Sequence, residues 1–473
     1  MHLKRDGINR YRLVRAGNMR VDGLVYANEA LRPLLDRDKS LVQLADAACL
    51  PGVLDPVVGM PDIHEGFGLP IGGVMAVAAG GIISAGAVGM DINCGVRLIR
   101  TSMVAADWDK ERLCKLIERI EAYVPTGIGK KGRHKGITAQ LFERVVHNGV
   151  AELVQEGFGS SEDLHYIEEN GRMEGADLGA VSSKAIERGA VQLGTLGGGN
   201  HFIEIQEVKE VFDDHLGHKF GLFPGQLVIM IHTGSRGFGH QICTDYSRSL
   251  LKVAGRYGIE LPSKGLACAP IDSPEGKRYY AAMACAVNFA FANRQIIMAD
   301  ICRALSDITG QNQKQLQTRL VYDVAHNIAK WEKHRNRRVL VHRKGATRAL
   351  PAGHDGNPLV YRDTGHPVLV PGSMGTSSYV LVGTASAAES YYSVNHGAGR
   401  TLSRRAAGAQ ISRAEFEASM GQVIYNIKNY KDIVDEAPLA YKDIDQVVET
   451  LVEAGLTHKV ARMYPLAVIK GKD

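Results

Sequence analysis

Helical and extended patterns alternate along this chain without the regular strand–helix–strand rhythm of a doubly wound parallel sheet, which predicts an α+β fold. Turn signals are spread evenly, and no Pro/Ser-rich linker, low-complexity tract or internal repeat divides the sequence. Residues 1–473 are therefore expected to form one large domain of mixed sheets flanked by helices. Glycine is in excess, at 53 of 473 residues, against a usual figure of about 7%. That excess points to many tight turns and to backbone that approaches a ligand closely. The 45% hydrophobic and 23% charged residues are those of an ordinary globular chain, which excludes wholesale disorder. The net charge of +5 permits an anionic partner without demanding one.

Taken in order, the elements read as follows. The N-terminus, MHLKRDGINRYRLVRAG, is basic but has no apolar h-region, so no signal peptide is expected. Ile71 to Met90 is an uncharged run of 20 residues, long enough to cross a bilayer. Glycine pairs at 72–73 and 80–81 divide it into pieces of strand length, and no aromatic or basic belt flanks it, so buried sheet is expected. Trp108, Leu113, Leu116, Ile117, Ile120 and Val124 keep helical spacing until Pro125. Gln226–Ile231 is a buried-type strand ending at His232; Arg338–Val341 is another running into His342, and Tyr379–Val382 a third. Ile444, Val447, Val448, Leu451 and Val452 form a last helix with Gly455 as its stop. The seven cysteines include no C-x-x-C, which excludes zinc ribbons, zinc fingers and thioredoxin-like motifs. Reduced thiols in a cytoplasmic setting are expected.

Six apolar stretches end in polar, glycine-containing loops: MDINCG, GGGNHF, IHTGSRG, HRKGATR, PGSMGTSS and NHGAGR. Loops at strand ends are where sites are built, so a single polar cleft is expected from them. Asp91 and Cys94 lie three apart and can face one metal from a turn, although an isolated D-x-x-C is more often a structural cysteine beside a solvated acid. His201, His232 and His326 stand at element ends beside small residues, which brings the metal reading level with the structural one. Carboxylate, thiolate and imidazole together suit a borderline divalent cation such as zinc, cobalt, nickel, iron or manganese.

The glycine loop of Gly194–Glu204 lacks the dinucleotide fingerprint, and no P-loop motif occurs anywhere. Its backbone N–H groups can instead cradle phosphate ahead of a strand. Period-two alternation there puts Asn200, Phe202 and Glu204 on one face and His201, Ile203 and Ile205 on the other. Glu204, an acceptor only, suits the N1–H and N2–H₂ edge of guanine, with a solvated strand carboxylate as the equal alternative. His396-Gly-Ala-Gly-Arg400 offers either a histidine nucleophile or a plain phosphate loop, with Arg400 and Arg404 as anion holders. Two basic groups complete the set. Lys330–Arg348 holds eight Lys/Arg against Glu332 alone, and Lys130, Lys131, Arg133 and Lys135 form a second cluster; both suggest polyanion binding.

Read together, MPDIHEGFGLPIGG, GMDINCGVRLIRT, LGTLGGGNHFIEIQ, HTGSRGFGHQ, YDVAHN, HRKGATRA, PGSMGTSSYVL, HGAGR, EAPLAYKDID and a terminal IKG resemble the RtcB family of RNA-splicing ligases, in register over essentially the whole chain. The resemblance implies a ligase that joins an RNA 3′-phosphate or 2′,3′-cyclic phosphate to a 5′-hydroxyl, using GTP and two Mn²⁺ ions. Cys94 would bridge the metals, with Asp91 and His201 completing one site and His232 and His326 the other. His396 would take GMP covalently and pass it to the RNA 3′-phosphate before the 5′-hydroxyl displaces GMP. Nucleotide contacts implied are Asn200, His201, Phe202, Ile203, Glu204, His326, Asn327, Pro371, Gly372, Ser373, Met374, Ser378, His396, Gly397, Ala398, Gly399, Tyr441 and Lys470. Arg236, Lys344, Arg400 and Arg404 would serve RNA or phosphate, and archease is the implied partner. One departure is Asn395, which precedes His396 where some relatives have cysteine. Two other readings of the residues remain: a dimetal phosphohydrolase or phosphodiesterase in which His396 only binds phosphate, and a nucleic-acid-binding subunit without turnover.

Overall fold

A computed structural model describes residues 2–472, and it is built on two large sheets. The first has seven strands in the order Leu3–Gly7, Arg10–Leu13, Gly23–Tyr26, Val57–His64, Ile71–Ala78, Arg337–Lys344, Asn327–His334. The second has eight, in the order Arg319–Ala325, Gly95–Val104, Gln226–Thr233, Phe202–Val211, Thr457–Lys470, Ser378–Gly383, Val368–Val370, with Ile424–Tyr425 pairing separately on Thr457–Lys470. Neighbours are antiparallel except Gly23–Tyr26 with Val57–His64 and Ile424–Tyr425 with Thr457–Lys470. This mixture of mainly antiparallel sheets and helices is the α+β class the sequence predicts.

The chain passes from an edge strand of the second sheet, Arg319–Ala325, to an edge strand of the first, Asn327–His334, through one residue, His326. The uncharged run from Ile71 forms the strands Ile71–Ala78 and Ile82–Ser84 and a 3-10 turn over Ala85–Ala87, nearly all buried. Among the described residues no helix is long and apolar enough to cross a membrane. The helix expected before Pro125 spans Lys110–Tyr123 and is capped by Asp109, whose carboxylate accepts from Arg112 N. The last helix spans Ile444–Glu453, and Gly455, at φ +79°, turns the chain beyond it.

Behind the second sheet lies the helix Pro274–Thr309, entered through the Ser273 cap and a proline in its first turn. It is buried along most of its length, which accounts for its lack of a single apolar stripe. Two of its buried polar side chains bond loops of the site. Asn293 Oδ1 accepts from Gly194 N and Thr195 N at 2.8 and 3.1 Å. Arg294 donates to the carbonyls of Asn93 and Thr233 at 2.9 and 2.7 Å.

The basic run Lys330–Arg348 departs from expectation. Lys330, Arg343, Lys344 and Arg348 are buried; acids remote in sequence balance two of them, and Glu332 of the run itself balances a third. Lys330 Nζ lies 2.7 Å from Glu168 and 2.6 Å from Glu169, and Arg348 lies 3.2 and 3.0 Å from the same two carboxylates. Arg343 is bidentate on Glu332. Three of the eight cations that suggested a polyanion surface are thus in internal ion pairs, Lys344 is buried on backbone carbonyls, and only the hairpin end carrying Lys333, Arg335, Arg337 and Arg338 is exposed.

Candidate active site

Strand register brings the metal-type residues together. Cys94 and His201 directly precede the strands Gly95–Val104 and Phe202–Val211. Val96 and Phe202 both pair with His232, Lys470 pairs with Phe202, and Gly95 pairs with Ala325, the residue before His326. Five side chains distant in sequence therefore crowd one end of neighbouring strands. Asp91 joins them through a turn in which Cys94 N donates to Asp91 O at 2.9 Å, with Asn93 at φ +52°.

The side-chain atoms form two triads that share one sulfur: Asp91, Cys94 and His201, and Cys94, His232 and His326, each with its ligand atoms within 4.8 Å of one another. Cys94 Sγ lies 3.5 Å from His201 Nε2 and 3.3 Å from His232 Nε2, and His232 Nε2 faces His326 Nε2 at 3.3 Å. His201 Nε2 is 2.7 Å from Asp91 Oδ2, while Asp91 Oδ1 has no partner. Burial pushes His232 and His326 well below the ordinary imidazole range, so both rings are neutral. Burial, then the Asp91 charge, pushes the Cys94 thiol well up. Burial alone would raise Asp91, but His201 overrides it and holds the carboxyl at about 2. Converging imidazole nitrogens, a buried sulfur and a carboxylate with a free oxygen fit two divalent cations sharing a thiolate, since a cation is what would favour the charged forms.

His396 stands beside this cluster, its ring centroid 4.8 Å from that of His326. Its backbone N and Nδ1 both contact Asp62 Oδ2, at 3.0 and 2.7 Å. Asp62 is fully buried and sits where the strand Val57–His64 bulges, between its pairings at Gly59 and His64. Lys442 Nζ captures the carbonyls on either side, Pro61 O at 2.9 Å and Ile63 O at 2.6 Å. Gly399, at φ +74°, passes so close that a Cβ there would lie 2.2 Å from Asp62 O. The carboxylate holds the proton on Nδ1 and leaves the Nε2 lone pair free.

A cleft of about 320 Å³ opens over both groups. Asp91, Cys94, Asn200, Phe202, His232, His326, Asn327, Lys344, the Pro371–Met374 loop, His396–Arg400, Arg404, Tyr441 and Lys470 all line it. His201 lies just behind, on Asp91. Ile203 points instead into the core, as the strand alternation requires. Ser378 Oγ accepts from Gly372 N at 3.2 Å and so supports the cleft loop from behind. Arg236 turns away, its guanidinium on the carbonyls of Gly127 and Leu196 at 3.2 and 3.4 Å. Glu204 is buried below the cleft; burial lifts its carboxyl to about 8, and its Oε1 has no partner. Lys344, whose Nζ contacts Phe67 O and Gly86 O, is lowered to about 8 by burial.

Two acids of the site are absent from the sequence-derived set. Asp62 left one trace, a lone acid inside the apolar stretch VVGMPDIH. Glu436 is 3% exposed and holds a cationic wall together. It accepts from Arg400 Nη1 at 3.1 Å and from the Tyr441 hydroxyl, and lies 3.7 Å from Lys470 Nζ. Arg400 also covers the Tyr441 ring at 4.9 Å.

A family profile described as tRNA-splicing ligase RtcB matches residues 43–471. The chain is 47% identical over 461 residues to the "tRNA-splicing ligase RtcB" of Thermococcus kodakarensis, covering 96% of this chain and 95% of that one. It is 42% identical over 438 residues to the "RNA-splicing ligase RtcB" of Mycobacterium tuberculosis, covering 91% and 100%. The "tRNA-splicing ligase RtcB" of Nanoarchaeum equitans matches over the full length of both chains at 41%. The match spans the two sheets and every loop of the cleft, and the chain belongs to the tRNA-splicing ligase RtcB family.

Proposed function

We propose that this protein is a GTP- and Mn²⁺-dependent RNA ligase that joins 3′-phosphate or 2′,3′-cyclic phosphate ends to 5′-hydroxyl ends, in tRNA splicing or RNA repair in the cytoplasm, with archease as partner. The observation that carries the proposal is the placement of His396, pinned through Nδ1 by Asp62, beside two metal-type triads that share Cys94. A hydrolase needs the triads but no nucleophilic nitrogen.

In this reading Asp91, Cys94 and His201 would hold one Mn²⁺ and Cys94, His232 and His326 the other. Such ions offset phosphate charge and polarise reacting oxygens. His396 Nε2 attacks the α-phosphorus of GTP, the bond to the β-phosphate oxygen breaks, and pyrophosphate leaves. An oxygen of the RNA 3′-phosphate then attacks the same phosphorus and the N–P bond breaks. The electron pair returns to Nε2 while the proton stays on Nδ1, hydrogen-bonded to Asp62. Finally the 5′-hydroxyl attacks the 3′-phosphate and GMP departs; a cyclic phosphate is first opened by water. Arg400, Arg404 and Lys344 stabilise charge on the phosphates. Tyr441 flanks the base, while Glu204 and Lys470 supply one acceptor and one donor to its edge, the complement of guanine.

Incubation with α-³²P-GTP and Mn²⁺ followed by denaturing electrophoresis tests this. An acid-labile, alkali-stable label absent from His396→Ala is the expected result. Phosphate release from RNA ends with no labelled protein would instead favour the dimetal phosphohydrolase.

A further inference from the structure

The mechanism leaves one concentration of charge unused. The loop that follows the helix Lys110–Tyr123 carries Lys130, Lys131, Arg133 and Lys135, all exposed. That loop is tied to the C-terminal segment of the cleft, where Ile128 N donates to Lys472 O at 3.0 Å, and Asn426, from another segment, donates its Nδ2 to Lys470 O at 3.0 Å. Two hollows result, one on each side of Lys472. The first, of about 390 Å³, is walled by Thr126, Lys130, Asn426, Lys470 and Lys472. The second, of about 470 Å³, is walled by Arg404, Lys431, Lys472, Asp432 and Asp435. Each shares a wall residue with the cleft, Lys470 in the first case and Arg404 in the second. Lys130 in the first hollow and Lys431 in the second are thus linked to the cleft through Lys472, Lys470 and Arg404.

The acids along it are few and engaged. Asp432 sits 3.0 Å from Lys472 Nζ, Asp435 flanks Arg404 at 3.8 Å, and Glu121 accepts from Asn426 Nδ2 at 2.6 Å. Arg133 is spent on the carbonyls of Glu121 and Ala122. Among the described residues, Lys130, Lys131, Lys135 and Lys431 make no ion pair. The cations are spread along a path and do not converge on a point, which suits a polyanion and not a small anion. Among the described residues no aromatic side chain lines either hollow, so a bound strand would be held by its phosphates without base stacking and without sequence preference.

We propose that this surface, from Lys130 and Lys131 past Lys472 to Lys431, is the track for the sugar–phosphate backbone of an RNA strand whose end lies in the cleft. The inference rests on the ligase reading only for the identity of the polyanion. It assigns to the flank the binding of RNA length, and to the cleft the binding of RNA ends.

The test compares the parent with a Lys130→Ala/Lys131→Ala/Lys135→Ala variant and with Lys431→Ala. Each is titrated with a ~20-nucleotide single-stranded RNA and a ~3-nucleotide RNA, both ending in a 3′-phosphate, over about 0.05–0.3 M salt. If each of the three lysines touches one phosphate, the log–log salt slope falls by about 2 and affinity for the long RNA falls roughly fifty-fold at about 0.15 M salt. Lys431→Ala lowers the slope by about 0.7. Affinity for the short RNA and labelling by GTP stay at parental values. Unchanged long-RNA affinity and slope would overturn the proposal, as would an equal loss for both RNAs. Failure of the parent to become labelled by GTP would sink the ligase reading alone, because the salt-slope comparison needs only RNA.

Discussion

Replacing Asp62 isolates what the contact between its carboxylate and His396 does. The carboxylate is fully buried, accepts from His396 Nδ1 at 2.7 Å and from its backbone N at 3.0 Å, and its other oxygen has no partner. A buried hydrogen bond to a charged group contributes about 1.5–3 kcal/mol. If it exists to hold the proton on Nδ1, Asp62→Ala slows guanylylation by roughly 10- to 150-fold, at about 1.4 kcal/mol per decade. Asp62→Asn can place its amide oxygen where Oδ2 now sits and keep accepting, so it loses only the charged component, about 1–1.5 kcal/mol, or roughly five- to tenfold. The assay is single-turnover labelling of the protein by α-³²P-GTP at saturating Mn²⁺, with thermal melts to confirm that each variant is folded. The expected order of rates is parent, Asn, Ala. An Asp62→Ala protein that is folded and labels within about threefold of the parent would refute the positioning role.

Three other outcomes follow from the site and the core. Cys94→Ala removes a ligand from both triads, so calorimetric titration with Mn²⁺ should show both sites weakened by at least about 100-fold, since second-shell losses alone reach 10–100-fold; one site left at parental affinity would exclude a shared thiolate. Glu204, held near 8 by burial, would have to be ionised to accept from guanine, so in the proposed role GMP affinity should rise with pH up to about 8 and level off above it, with proton release on binding below that value. Glu204→Gln should abolish that dependence, and a parental pH profile in the variant would discard Glu204 as the base reader. Glu168→Ala strips the buried Lys330 and Arg348 of their innermost partner and should destabilise the protein by about 3–5 kcal/mol, read as a lowered urea midpoint. Burial would raise the Glu168 carboxyl, but Lys330 and Arg348 hold it far below its ordinary range; its stabilisation is therefore present at neutral pH and fades in acid, where parent and variant midpoints should converge.

What was legible in the sequence is what local pattern encodes. The glycine pair at 80–81 divided the run from Ile71 into strands, whereas the pair at 72–73 lies inside the first of them, and Pro125 and Gly455 stopped the two helices where they stop in the structure. Polar loops at strand ends announced the cleft because a strand delivers its last residue to a definite edge. Pairing between remote segments has no local signature. Asp62 meets His396 across 334 residues of chain and Glu168 meets Lys330 across 162. The basic run from Lys330 consequently read as unbalanced when its counter-charges were folded against it. Arg236 shows the same limit at the level of one side chain: its loop lies at the site, but its positive φ turns the guanidinium toward backbone carbonyls instead.

The position of His326, the single residue through which the chain crosses from one sheet to the other, has a thermodynamic consequence. A cation shared by His326, Cys94 and His232 would be a removable tie between the crossing residue at the seam and the second sheet, on which Cys94 and His232 lie. A ligand that binds only the closed arrangement stabilises it by about 2.7 kcal/mol at a hundred times its Kd. Metal uptake, closure of the seam and assembly of the catalytic face are then one linked equilibrium. Chelation would therefore open the seam to hydrogen exchange and proteolysis at the same metal concentration at which it silences His396.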